Sequence, residues 1–198
     1  MRDNKFFWGF ALAAVGSFLL AGLYVAVKGF GSGADPAPVL PGRADKYRDG
    51  DDIRLLSAEA AAIRVASTPG GECNLDYLGQ EGVTPQILIQ GGRTGISGWG
   101  AYPQQRESVD RVLLEWKPVG DAAAPSVFVE LNSGLERADI AAAKASAVYR
   151  NVGYGRSGNL TDAPAGVYRL YLLLQTKTGL IQCDLNREAT VRAATGLQ

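Results

Sequence analysis

The sequence has no histidine, one methionine and only two cysteines among 198 residues. Without imidazole, Ser/His/Asp and Cys/His catalysis, the HExxH zinc site and proton shuttling near neutral pH are all excluded. Two cysteines are too few for a four-cysteine zinc site, and the lack of histidine prevents a mixed one. No metal or other cofactor is therefore expected, and any catalysis falls to carboxylates. A net charge of one sign is also lacking, because 20 basic and 20 acidic side chains cancel. Residues 1–33 hold Arg2, Lys5 and Lys28 against Asp3, which leaves 17 basic and 19 acidic groups beyond them. A nearly neutral body with no basic block is a poor ligand for phosphate backbones, so nucleic acid is not an expected partner. No repeat of about 20–50 residues is visible, which argues against a solenoid or propeller.

One long apolar run is present. Residues 6–27, 22 in all, carry no charge. At about 1.5 Å per residue as a helix they reach roughly 33 Å, against a bilayer core of about 30 Å. Residues 6–28 are accordingly read as a transmembrane helix contacting the lipid bilayer. Arg2, Lys5 and the terminal amine precede it while Lys28 alone follows. The positive-inside rule then makes residues 1–5 a cytoplasmic stub. A cleaved signal peptide has an apolar region of about 7–15 residues, so the longer run ending in Tyr24-Val-Ala-Val-Lys28 reads as an uncleaved anchor. Ala13, Gly16 and Ser17 form no strict GxxxG and are read as ordinary anchor residues.

Residues 29–46 contain three prolines and four glycines, the composition of an extended tether. The domain then occupies residues 47–198. Asp49, Asp51 and Asp52 surround Gly50, but the EF-hand spacing and its final glutamate are absent, so a solvated turn is expected.

Within the domain the signals are mostly β. Alternating or short apolar runs lie at 73–78, 87–89, 109–116, 126–131, 167–174 and 180–183, and Val191 suggests a last strand. Lys177-Thr-Gly179 predicts a hairpin between the 167–174 and 180–183 runs. Alanine-rich 138–148, with Asp139 near its start, predicts a short crossover helix. Segment 57–65 remains open between a helix capped by Ser57 and a strand over Ile63-Arg-Val65. Short strands with Gly, Pro, Asn and Asp between them predict an antiparallel β-sandwich, Ig-like or jelly-roll-like. An even pair of cysteines outside the cytoplasm predicts a Cys73–Cys183 disulfide. Closing a loop of that length is worth roughly 4–5 kcal/mol in the chain-entropy model.

Candidate ligand contacts fall in three places. Trp99 and Tyr102 lie in a glycine-rich passage, Ile96-Ser-Gly-Trp-Gly-Ala-Tyr-Pro103. Such aromatics stack on sugar rings, but Trp99 is more readily the core tryptophan of a sandwich. Arg137 and Asp139 form a pair that either holds glycan hydroxyls or, more ordinarily, pins a loop. Tyr154 and Arg156 lie in what reads as a glycine-rich turn, Asn151-Val-Gly-Tyr-Gly-Arg156. A glycosidase needs two carboxylates about 5–9.5 Å apart. Glu107, Asp110, Glu115, Glu130 and Asp139 are available, yet no spacing singles out a pair, so no catalytic residue is assigned. Asn159-Leu-Thr161 matches a glycosylation sequon, which is incidental if the chain is bacterial, as the short cytoplasmic stub and anchor suggest.

The order Cys-Asn-Leu-Asp-Tyr (73–77), Ile-Ser-Gly-Trp-Gly (96–100), Glu-Arg-Ala-Asp-Ile (136–140), Val-Gly-Tyr (152–154), Ala-Gly-Val-Tyr-Arg-Leu (165–170) and Cys183 resembles the small extracytoplasmic β-sandwich modules of bacterial cell-surface polysaccharide proteins. Those modules are often fused to polytopic membrane glycan enzymes. With a single anchor here, the resemblance implies a separate accessory subunit, a membrane-protein partner and a glycan as ligand. It carries over no catalytic residue. The expected protein is thus a non-catalytic, single-pass component of the bacterial inner membrane with a periplasmic domain. The alternatives are a structural subunit of a respiratory or secretory complex and, third, an anchored carboxylate-dependent hydrolase.

Overall fold

The computed structural model describes residues 47–79, 86–89, 92–104, 108–121, 123–161 and 163–192. The expected anchor at 6–28, the tether at 29–46 and Glu107 lie outside them. Among the described residues no helix is long and apolar enough to cross a membrane.

The domain is mainly β. Its strands are β1 (Ile53–Arg54), β2 (Thr68–Pro69), β3 (Glu72–Gly79), β4 (Gln86–Ile89), β5 (Gly92–Ala101), β6 (Arg111–Pro118), β7 (Val127–Leu135), β8 (Gly153–Thr161), β9 (Gly166–Gln175) and β10 (Leu180–Val191). They form one curled sheet in the order β2-β10-β9-β6-β7-β8-β5-β3, with β1 on β8 and β4 on β10. The main path from β3 to β10 is antiparallel, as alternation predicts. The sheet as a whole is mixed, because β1, β2 and β4 pair in parallel. These strips of two to four residues were mostly too short to show a period of two. Two of them line the outer side of β10 and so shield an otherwise open edge.

The curl comes from β7. Its first half pairs with β6, and Asn132–Leu135 pairs with β8. A bulge and the left-handed Gly134, φ 80°, lie at the bend. The two ends of the path are joined by the Cys73–Cys183 disulfide, with Cα atoms 6.3 Å apart. A half-barrel results, closed around Trp116, Tyr154, Ile96, Leu170, Leu172 and Leu174.

Alternation along β6 explains why that strand is buried on both faces. Val112, Leu114 and Trp116 enter the main core. Leu113, on the opposite face, joins Ala61, Phe128, Leu173 and Leu180 in a second, smaller core. Segment 57–65 covers this second core as a series of turns, neither the helix nor the strand weighed above. Ser57 does cap locally, its Oγ accepting from the Ala60 N–H at 3.1 Å. Ala62 then takes φ 55° and ends any helical continuation.

The crossover between β7 and β8 is helical as expected, with α1 (Ala138–Ala143) followed by a 3-10 turn, Ala147–Tyr149. Two expectations are corrected. Residues 153–156 belong to β8 and not to a turn. The glycines there serve close approach: a Cβ on Gly158 would meet the Asp51 carbonyl, and one on Gly153 would lie 2.7 Å from the Leu135 carbonyl. Val191 ends β10 and forms no separate strand. A bulge between Asp184 and Arg187, with Asn186 at φ 54°, interrupts the alternation that would have joined the two.

Candidate functional site

The outer face of β3, β5 and β8 collects most of the polar and aromatic features. Along β5, Thr94, Ile96, Gly98 and Gly100 point inward, so Arg93, Gly95, Ser97 and Trp99 face outward. Trp99 lies between Asn74 of β3 and Gly153 of β8. It is only partly buried, and the core tryptophan is Trp116, which is fully enclosed. The core reading of Trp99 is therefore replaced: its period along β5 puts it on the outer face, while the inward face of β6, with Val112 and Leu114, carries Trp116 into the core.

Two ion-pair groups border Trp99. In the first, Arg137 donates to both carboxylate oxygens of Asp139, at 2.9 and 2.7 Å, and to Asp76 at 2.6 Å. Gly153 leaves room for this side chain, since a Cβ there would sit 3.0 Å from Arg137 Cγ. In the second, Lys144 Nζ lies 2.6 Å from Glu72, whose other oxygen accepts from the Tyr149 hydroxyl at 2.9 Å. The same ammonium sits 5.7 Å from the ring centroids of both Trp99 and Tyr149. The two rings meet edge to face at 6.3 Å.

The charges are fixed by these contacts. Hydrogen bonding from Arg137 holds the Asp139 carboxyl at about 2. Hydrogen bonds from Lys144 and then Tyr149 keep Glu72 below the usual carboxylate range. Both are ionised acceptors near neutral pH and neither is suited to act as a general acid. The face offers an aromatic edge, ionised acceptors and cationic donors side by side, an arrangement suited to polar recognition.

Beside this cluster lies a shallow groove of about 410 Å³ lined by Tyr77, Gly79, Arg93, Gly95 and Ser157. Tyr77 rests on Gly95, where a Cβ would stand 2.6 Å from its ring.

Of the residues singled out from sequence, Trp99, Arg137 and Asp139 come together here. Tyr102 lies beyond the end of β5 and packs against the main core. Tyr154 points inward at 1% exposure, its hydroxyl donating to the Asn74 carbonyl at 2.9 Å. Burial pushes that phenol far above its usual range. Arg156 occupies another region, 3.7 Å over the Tyr47 ring, and donates to the Glu130 carbonyl at 3.1 Å and the Asp52 carbonyl at 2.5 Å. Among the other carboxylates, Glu130 is paired with Arg111 at 2.8 Å, and Glu115 accepts from Ser126 and Gln182 at 2.7 Å each. Asp49 pairs with Arg93 at 3.0 Å and Asp51 accepts from the Arg48 N–H, also at 3.0 Å. Asp51 thus serves a local turn while Asp49 ties that turn to β5, and no metal-holding acidic cluster occurs among the described residues.

Sequence reasoning missed Glu72, Asp76, Lys144 and Tyr149. Asp76 had a partial signal, because alternation through 73–78 puts Asn74 and Asp76 away from the core. Its partner lies 61 residues on, and nothing local marks it.

Comparison with protein-family models, curated proteins and solved structures yields no match to this chain.

Proposed function

We propose that the chain is a membrane-anchored, periplasmic accessory protein of a bacterial envelope assembly that handles surface polysaccharide, and that it binds without catalysing. The observation that carries this reading is the face around Trp99, where a partly exposed indole is bordered by Asp76, Arg137, Asp139, Glu72 and Lys144. Sugars are recognised by such pairings of an apolar ring face with charged hydrogen-bonding groups. The disulfide supports an oxidising compartment. The uncharged run at 6–27 supports the anchor. In this reading the two halves of the curled sheet, which share β7, act as the layers of a sandwich.

The test is a glycan array probed with the full-length chain in nanodiscs, beside the Trp99→Ala variant. Binding by the wild type that falls at least about tenfold in Trp99→Ala supports sugar contact at this face. Absence of binding by folded wild type sinks the glycan reading and favours the structural-subunit alternative. Co-purification followed by mass spectrometry then identifies the membrane partner. For topology, the test is thiol labelling of the denatured protein before and after reduction. Immediate labelling of both cysteines without reductant would defeat the periplasmic placement.

A further inference from the structure

The second core is incompletely closed at one margin. There a cavity of about 300 Å³ lies between segment 62–65 and the β9–β10 hairpin. Its apolar lining is Ile63, Leu113 and Leu180, which also belong to or pack against that core. Its polar lining includes Arg64 and Lys177, one from each side of the opening. Val65, also lining the cavity, is 59% exposed. The left-handed turn at Ala62, φ 55°, sets the course of the chain here, an uncommon conformation for a residue with a Cβ.

Arg64 and Lys177 differ from the cations of the Trp99 face. Arg137 and Lys144 are consumed by carboxylates at 2.6–2.9 Å. By contrast, neither Arg64 nor Lys177 has an ion pair or side-chain hydrogen bond among the described residues. The cavity therefore combines an apolar floor with two uncompensated positive charges.

We infer that this cavity is a binding site for an amphipathic anion, an alkyl carboxylate. Its hydrocarbon chain lies over the buried Leu113 and Leu180 and takes the half-buried Ile63 and the exposed Val65 out of water. Its head group lies between the guanidinium and the ammonium, which supply charge-assisted hydrogen bonds. At about 30 Å³ per water-sized heavy atom, the volume takes about ten such atoms, the size of octanoate. An alkyl cation of the same length fills the space equally well but meets two like charges, so the sign of the head group is the distinguishing feature. This site is independent of the glycan reading, since it lies on the opposite half of the sheet.

Isothermal titration of the full-length chain in zwitterionic nanodiscs tests the inference, with empty nanodiscs subtracted and the ionic strength kept low. Octanoate and octyltrimethylammonium are the two probes. Both target side chains are exposed, so the Arg64→Ala/Lys177→Ala double variant is expected to fold as the wild type does. The expected result is saturable octanoate binding that weakens at least about tenfold in the double variant and weakens as salt is raised, with no binding of the cation. Three outcomes would overturn it: no octanoate binding to the wild type, equal binding to the double variant, or equal binding of the cation. A Leu113→Phe variant, which adds bulk to the floor, supplies a second check: octanoate binding must fall while the near-ultraviolet circular dichroism of the folded protein persists.

Discussion

The two halves of the curled sheet cover their outer faces in opposite ways. On β6, β9 and β7 the outward Leu113, Leu173 and Phe128 are covered by segment 57–65, forming a second apolar core open at the margin beside the β9–β10 hairpin. On β3, β5 and β8 the outward positions are small or polar apart from the aromatics Tyr77 and Trp99, and a helical crossover is held over them by ion pairs of Arg137 with Asp76 and of Lys144 with Glu72. Burial of apolar area is non-directional and tolerates variation in which residues supply it. Ion pairs over glycines depend on direction and on partner identity. The apolar half is thus expected to carry stability and the polar half to carry recognition.

The most disruptive way to test this division is to sever the bond that joins the halves. In Cys73→Ala/Cys183→Ala the constraint on a separation of 110 residues is lost, and unfolding free energy is expected to fall by about 4–5 kcal/mol. Urea denaturation of both forms measures it. A loss below about 1 kcal/mol would mean that the strand ladder alone keeps the half-barrel closed. Next comes Leu113→Ala, which removes a side chain 1% exposed at the centre of the second core. The expected cost is about 3 kcal/mol, because the lost transfer energy adds to that of a new cavity. If the polar half were equally important to stability, Arg137→Ala would cost as much. It is expected to cost only about 1 kcal/mol, since its partners Asp76 and Asp139 are substantially solvated and screen the loss. Hydrogen exchange in the α1 segment should rise in that variant while the β6 and β9 amides stay protected.

The same contrast governs what the sequence reveals. The apolar half was legible because β6, β9 and the start of β10 are long runs in which period and β-branched or leucine content agree. The disulfide followed from counting an even pair of cysteines, on the expectation of an oxidising compartment. The polar half was only partly legible. Trp99, Arg137 and Asp139 drew notice through residue type, but 153–156 read as a turn because a glycine such as Gly153, which admits the Leu135 carbonyl and Arg137, looks the same locally as a glycine that reverses a chain. Glu72 and Lys144, 72 residues apart, became partners only through a crossover helix whose docking depends on tertiary packing. The two-residue β1 and β2 are set by their neighbours' edges and leave no pattern in their own residues.

The smallest predicted effect is the acid response, to which the polar half contributes through Glu72 and Asp139 and the β9–β10 pair through Asp184, lowered against its partial burial by Arg169. The folded carboxyls of Glu72 and Asp139 ionise below their ordinary values, Asp139 at about 2, with Lys144 and Arg137 as the leading causes. A carboxyl with a lowered folded value adds stability above its unfolded value, about 4, and loses it as pH falls through the folded one. The wild type should therefore lose stability progressively from about pH 4 towards pH 2. In Arg137→Ala, Asp139 no longer has the guanidinium that lowers it, so this variant should lose less over the same interval, although it is less stable at pH 7. Leu113→Ala should keep the full wild-type acid slope from a lower starting point, because its deficit is apolar and does not titrate. Urea midpoints at pH 7, 4 and 2 for the three proteins distinguish these cases. Parallel slopes for wild type and Arg137→Ala would show that the Arg137 ion pairs contribute nothing to the acid response, which would then rest on carboxyls such as Glu72 with its Lys144 and Tyr149 partners.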